Sequence, residues 1–420
     1  MKRRYGTGGT LRLQQLFYLH RVQSRIIPKL TLSMATERHD RKLPQRDSEH
    51  AASPQHSEPI FRGTTPNVRT DVLTGQQIIV AESRSQRPVT LTHSASAPPV
   101  ADDPFLEGRE SLTPGESLAL RSADSQPNEP KWLLRVVPNR YPAAEPGLPE
   151  PLLPCDSAEG FPTEAVRGVH EVVLECPDYR SRLADLSVTE VARVLHAWQL
   201  RVRALSAFPW IKTVSVFRNQ GVGAGASLPH CHSQILATDF TGNRIAELIG
   251  RSQQCRDETG LCVVEQWLSA ELQADQRVLR QGSHFATICP FASRVPWQCR
   301  IVPVTVSRFD LLSAEQILLL ATELHSAASA VQAVAHNVAH NVTLTLPPTV
   351  TPDAFRWHLD LLPRPSRMAG FEFGTNVDIL AVSPETAAER MREHLPLAHV
   401  PFSEDALCPA GFAWVAAAVS

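Results

Sequence analysis

A chain of 420 residues, 43% apolar and 20% charged, can bury more than one core and is ordinary in composition for a globular protein. Its formal net charge of -2 excludes a general attraction to nucleic acid or to an anionic membrane, so phosphate recognition has to be local. No apolar run approaches the roughly 20 residues of a transmembrane helix, and neither nucleic acid nor membrane is expected as a partner. The eight cysteines include no C-x-x-C pair, which argues against a local zinc knuckle or redox motif and fits reduced thiols in a cytoplasm.

Residues 1–36 carry seven Lys or Arg and no acidic residue, the composition of a basic arm or targeting segment, but "LQQLFYLHRV" is too polar for a secretory signal. Residues 1–60 are therefore expected to be a disordered or mis-started extension, with Met34 as an alternative start. Residues 61–245 and 246–400 read as two domains, and 401–420 as a tail. The Ser-, Pro-, Asp- and Glu-rich stretch 93–130 reads as loop.

The two domains look like one α+β unit used twice. "HEVVLECP", Ser181-Arg182, "LSVTEVARVLHAW", "IKTVSVF" and His230-Cys231-His232 recur in order as "WQCRIVPV", Ser307-Arg308, "LSAEQILLLATEL", "NVTLTL" and His358-Leu359-Asp360. Ser187 with Glu190, and Ser313 with Gln316, form capping boxes. Val191, Val194, Leu195, Trp198, Val202 and Leu205 then recur at helical spacing, as do Ile317, Leu320 and Leu324. The offset is 126 residues at the caps and 128 between His230 and His358.

The chemistry concentrates in "NQGVGAGASLPHCHSQIL" (219–236). Strand alternation in "HCHSQIL" puts His230, His232 and Gln234 on one face. Gly221, Gly223 and Ala226 match a dinucleotide fingerprint, but a proline and a strand follow where that motif needs a helix. The glycines and Ser227 can still offer backbone N–H groups to phosphate oxygens. H-x-H supplies only two of the ligands that a metal needs. His336 and His340, four apart, could add more, though a polar helix end is the simpler reading. A neutral imidazole can instead attack phosphorus through one nitrogen while the other holds its proton on an acceptor, with Gln234 donating to a non-bridging oxygen.

These residues resemble the galactose-1-phosphate uridylyltransferases and ADP-glucose phosphorylases of the histidine-triad superfamily. The resemblance runs from about Arg69 to about Leu395 in ordered blocks: "RTDVLTGQQIIVAESRSQRP", "LRVVPNRYPA", "NQGVGAGASLPHCHSQ", "TICPFASRVPWQCRIVP", "RWHLDLLPR" and "GFEFGT". It implies two tandem histidine-triad-like halves, each an antiparallel sheet with packed helices. It also implies a nucleotidyltransferase that moves a nucleoside monophosphate from a nucleotide-sugar, through a covalent nucleotidyl-histidine, to a hexose 1-phosphate or phosphate. His232 matches the nucleophile, with His230 and Gln234 beside it. Arg84, Arg87, Asn139, Asn219, Gly225, Ser227 and His358 match substrate contacts. A histidine-triad-type hydrolase and a catalytically silent nucleotide-binding protein are the alternatives, and a homodimer is compatible with the family.

The departures from the family pattern matter as much. Asp103, Leu106 and Tyr179 stand where family members place three zinc ligands, and His230 where they place the fourth, so no zinc or other cofactor is expected. The second H-x-H, a further metal site in some members, reads His358-x-Asp360. The "GFEFGT" block, with Gly370 and Thr375, lacks the lysine and the tyrosine-glutamate pair that contact hexose phosphate in uridylyltransferases, and looks more like the phosphorylase branch.

Overall fold

The computed structural model describes residues 65–86, 102–147, 166–305, 307–396 and 403–417. The expected extension 1–60, its alternative start at Met34 and the candidate Arg87 lie outside the described residues. The described strands are β1 (Asn67–Thr70), β2 (Gln77–Val80), β3 (Leu118–Ser122), β4 (Trp132–Pro138), β5 (Gly168–Leu174), β6 (Thr213–Gln220) and β7 (His232–Thr238). They continue as β8 (Val278–Gln281), β9 (Phe285–Ile288), β10 (Cys299–Pro303), β11 (His340–Thr345), β12 (His358–Pro363), β13 (Asp378–Leu380) and β14 (Phe412–Ala416). The helices are α1 (Val188–Ser206), α2 (Asn243–Thr259), α3 (Val263–Ala274), α4 (Ala314–Val334), α5 (Gly370–Thr375) and α6 (Pro384–Arg392).

The class is α+β. β1, β2 and β13 form a three-stranded sheet, and the other strands form one sheet in the order β14-β3-β4-β5-β7-β6-β11-β12-β10-β9-β8. Every pairing in the larger sheet is antiparallel. Its centre is the β6–β11 ladder, from which β7 and β5 step out on one side and β12 and β10 on the other. β7 and β12 each open on a histidine, His232 and His358. His232 and His358 are 126 residues apart, the spacing of Ser187 and Ser313.

The helices form where their sequences direct. The Ser187 hydroxyl accepts the Glu190 N–H while the Glu190 carboxylate accepts the Ser187 N–H, and Ser313 with Gln316 repeats the arrangement. The apolar stripe of α1 (Val191, Leu195, Trp198, Val202, Leu205) and that of α4 (Ile317, Leu320, Leu324) share one core over a single sheet face. Polar ties fix the register of α1: Trp198 Nε1 donates to Ser233 Oγ at 2.8 Å, and Arg201 forks onto Glu171 with two bonds of 2.8 Å. Buried pairs of this kind cost desolvation and are kept in place by their geometry.

Four local expectations change. Within 93–130, Leu118–Ser122 is strand β3, because Leu118, Ala119 and Leu120 are buried and Arg121 is held by Glu116. In the expected tail, β14 closes the sheet edge against β3, as is common for an otherwise open edge. α4 is long and apolar enough to cross a membrane by length and composition, but 61% of its most apolar window is buried inside the fold. His336 and His340 share no helix: α4 ends at Val334, His336 takes a left-handed φ of 51° in the turn, and His340 opens β11.

His340 is also a stability element. It is buried, its Nε2 has no hydrogen-bond partner, and burial together with the nearby Arg218 charge pushes its pKa down to about 3. The unfolded chain therefore binds more protons than the folded one between that value and the ordinary 6.5, and stability falls as pH falls through this window. Linkage puts the loss from this ring at about 2 kcal/mol on going from pH 8 to pH 5. Urea unfolding of wild type and His340→Gln at both pH values should show the variant losing less by that amount; equal losses would remove His340 from the account.

Candidate active site

β7 lies between β5 and β6, and its two faces have different surroundings. Ser233 and Ile235 face α1, so His232 and Gln234 point to the opposite face. There Trp132, Val137, Val172 and Leu174 form a small second core with Phe105 packed against it. The Phe105 ring stands edge-on to His232 at 5.4 Å and to His230 at 6.0 Å.

His232 is only 5% exposed. Its Nδ1–H donates to the His230 carbonyl at 2.7 Å, which leaves the Nε2 lone pair unprotonated. Burial pushes its pKa below the ordinary histidine value, against the opposing pull of the His230 carbonyl and Glu175. The ring is neutral at pH 7 in the tautomer that a nitrogen nucleophile needs.

His230 does not project with its neighbours as strand alternation suggested, because β7 begins only at His232. Its Nδ1 lies 2.6 Å from Asp103 Oδ2 and its Nε2–H donates to the Cys176 carbonyl at 2.9 Å. Burial opposes the Asp103 charge, but the His230 contact and the Phe105 N–H hold this carboxyl below its ordinary pKa. The next residue is fixed as firmly: Cys231 N–H donates to the Arg180 carbonyl at 2.7 Å, and Arg218, paired with Glu175, donates to Cys231 Sγ at 3.2 Å.

Gln234 shares the His232 face, and its Oε1 lies 2.9 Å from His170 Nε2 on β5. Asn139, just after β4, joins them with Nδ2 3.3 Å from the same His170 nitrogen. Asn219, at the end of β6, accepts from Asn341 Nδ2 at 2.8 Å, and that amide also donates to the Ala224 carbonyl. His170, Phe105, Glu175 and Arg218 were missed from sequence. Their partners are remote in the chain, and the period-two pattern of "HEVVLECP" alone could have placed His170 on the site face.

The glycine loop differs from the expected anion nest. Gly221 (φ 80°) and Gly225 (φ 87°) take left-handed conformations that favour glycine. The N–H groups of Ala224, Gly225 and Ala226 are spent on the Gly221 and Val222 carbonyls. Ser227 is exposed at the loop end. Arg84 is exposed on the turn after β2, in the smaller sheet. His358 is buried on β12, three strands from β7 and so roughly 14 Å away. A cavity of about 510 Å³, lined by Arg256, Glu265, Arg356 and Trp357 among others, contains none of the candidate residues.

The four positions that would hold zinc do not fit a metal. Both nitrogens of His230 face acceptors, Asp103 Oδ1 accepts the Phe105 N–H, and Tyr179 stands edge-on to His230 at 6.3 Å. Both ring nitrogens are thus engaged within the protein, and leucine at 106 and tyrosine at 179 are not ordinary zinc ligands. On β12 the Asp360 carboxylate is taken by the Arg300 fork at 2.9 and 3.0 Å. Among the described residues no group of three or more His, Cys, Asp or Glu side chains converges to hold a metal.

Known proteins match along most of this chain. The family described as galactose-1-phosphate uridyl transferase, N-terminal domain, matches residues 35–242, and a domain of unknown function matches 198–399. The ADP-glucose phosphorylase of Arabidopsis thaliana is 29% identical over 338 residues, 78% of this chain and 93% of that protein. The galactose-1-phosphate uridylyltransferase of Thermotoga maritima is 26% identical over 351 residues, 78% of this chain and 98% of that protein. The crystal structure of the A. thaliana ADP-glucose phosphorylase with bound ADP-glucose has a TM-score of 0.65 at 27% identity, covering 78% of this chain and 99% of that one. These matches span the strands that carry His232, Gln234 and Asn139, and the chain belongs to the galactose-1-phosphate uridylyltransferase and ADP-glucose phosphorylase family.

Proposed function

We propose that this enzyme is a nucleotidyltransferase that passes a nucleoside monophosphate from a nucleotide-sugar to a hexose 1-phosphate or phosphate by way of His232. The observation that carries the reading is the bond from His232 Nδ1–H to the His230 carbonyl, which leaves Nε2 free to attack. Attack at the α-phosphorus forms an N–P bond and breaks the bond to the bridging oxygen, so the sugar 1-phosphate leaves. Positive charge then grows on the ring, and the carbonyl on Nδ1–H stabilises it. The acceptor oxygen reverses these steps and regenerates neutral His232.

Gln234 and Asn139 are the proposed phosphate contacts in the first half, with Asn219, Gly225 and Ser227 framing the loop. Arg84 and Arg87 are proposed to bring positive charge to the phosphates from the segment after β2. The halves 61–245 and 246–400 are proposed to be duplicated histidine-triad-like units. The common 126-residue spacing of Ser187 and Ser313, and of His232 and His358, supports this, as does the sheet order about β6 and β11. The Asp103–His230 pair is proposed to do without zinc what a metal would do there, which is to hold the peptide that orients His232.

Incubation with ADP-glucose or UDP-glucose labelled at the α-phosphate should leave acid-labile label on wild-type protein and none on folded His232→Gly. The better donor names the branch. Release of the label by phosphate or hexose 1-phosphate, well above release by water, distinguishes a transferase from a hydrolase. Unlabelled, folded wild type would refute the covalent route and favour a silent binder. Protein purified from zinc-supplemented medium should carry far less than one zinc per chain and keep its melting temperature in a chelator. Asp103→Ala should cost about 3 kcal/mol, as a buried partner removed; a stoichiometric zinc would overturn the metal-free assignment.

A further inference from the structure

His170 lies on β5, outside both the strand that carries His232 and the glycine loop. The ring is half-buried on β5, on the face that also carries Val172 and, across the ladder, Gln234. Its Nδ1 accepts the backbone N–H of Ala143 at 3.1 Å. A backbone N–H cannot be flipped as a side-chain amide can, so Nδ1 must present its lone pair. In a neutral ring the proton is then on Nε2. Burial keeps the ring neutral by lowering its pKa, against the smaller pull of Gln234.

The consequence reaches both amides. Nε2–H donates to Gln234 Oε1 at 2.9 Å, which turns the Gln234 NH2 group away from His170. That NH2 group has no hydrogen bond to protein among the described residues. Asn139 is oriented independently, because its Oδ1 accepts the Tyr141 N–H at 2.9 Å and its Nδ2 must face the ring. With a proton already on Nε2, that nitrogen cannot accept from Asn139, whose amide hydrogens stay available to a ligand.

We infer that His170 is a positioning residue that locks the Gln234 amide with its NH2 group toward the phosphate transferred by His232, and leaves Asn139 as a second unspent donor. The assignment rests on the proposed transfer and names what prepares its anion site. A reversed Gln234 amide would set a second N–H donor against Nε2–H, which already faces Asn139 Nδ2 at 3.3 Å, leave that proton without its acceptor and turn a carbonyl toward a phosphate. His170 thus selects the one orientation that can stabilise charge on a non-bridging oxygen.

Single-turnover labelling from α-labelled ADP-glucose and UDP-glucose tests this in four variants. His170→Leu should slow labelling at saturating donor on the order of 10- to 100-fold, less than the roughly 100- to 1,000-fold of an oxyanion donor removed outright, because the amide stays and only its orientation is lost. His170→Gln, whose amide nitrogen reaches the place of Nε2, should return to within about 5-fold of wild type, since it restores the donor. Gln234→Ala should be slow, and adding His170→Leu to it should slow it no further, because a residue acting through Gln234 has nothing left to act on. Nitrogen-15 NMR of the wild type should show His170 protonated at Nε2 and not at Nδ1.

Wild-type rates in folded His170→Leu, multiplicative losses in the double variant, or an Nδ1–H tautomer would each overturn the assignment while labelled wild type leaves the transfer reading intact. Failure of wild type to take label would instead overturn the transfer reading itself, and the role of His170 in it.

Discussion

One hydrogen bond, from His232 Nδ1–H to the carbonyl two residues earlier, decides which nitrogen of this ring keeps its lone pair. A histidine that donates from Nε2 instead would present a proton to the phosphate. The bond is local, but its acceptor is useful only if the 230–231 peptide stays still. Four groups remote in sequence hold that peptide: Asp103 and the Cys176 carbonyl on the His230 ring, the Arg180 carbonyl on Cys231 N–H, and Arg218 on the Cys231 sulfur. Arg218 is fully buried, and although burial opposes its charge, Glu175 beside it keeps its pKa high. A buried ion pair thus lies behind the strand that carries His232. Such a fixed environment need not reorganise during the reaction, which is where preorganised electrostatics gains over water.

The antiparallel sheet does the rest by dividing its faces. Residues two apart go to the same side, so β5 sends Glu171 and Val173 to the helices and His170 and Val172 to the site. β7 divides Ser233 and Ile235 from His232 and Gln234 in the same way. A one-residue slip of β7 would bury Gln234 under α1 and expose Ser233. The Trp198 bond to Ser233 and the Arg201 fork on Glu171 oppose that slip. The polar contacts beneath α1 therefore set the site geometry on the other face, and Phe105, brought in by the loop before β3, shields the histidine from water.

Much of this was legible in sequence because it is local. Capping boxes need residues three apart, helical stripes need three or four, and strand faces need two, so α1, α4, β6, β7 and β11 could all be read from their own residues. The His232 bond to His230 is also short-range. Asp103 with His230, Phe105 with both histidines and His170 with Gln234 were not legible, since pairing across 64 to 127 positions depends on the sheet order. The strand β3 was hidden in a polar stretch because its charged Arg121 is buried with Glu116, an arrangement that composition reads as loop. The glycine loop misled for a different reason. Its glycines signal left-handed backbone correctly, but pattern alone does not say which N–H groups remain free.

His358 shows how little a histidine in the right place means without its surroundings. It opens β12 as His232 opens β7, but the group that most favours its charge is Asp360, with the Arg356 backbone two residues earlier adding less. Yet its Nδ1 makes no hydrogen bond of ordinary geometry, so nothing fixes the tautomer. Where His232 has Gln234 two residues on, His358 has Asp360, 3.7 Å from its Nε2 and neutralised by the Arg300 fork. A phosphate approaching that nitrogen would meet a carboxylate inside the fold. Burial and Arg300 push the ring to a pKa of about 3, which keeps it neutral at pH 7. The same strand position thus meets an amide on β7 and an arginine-paired carboxylate on β12.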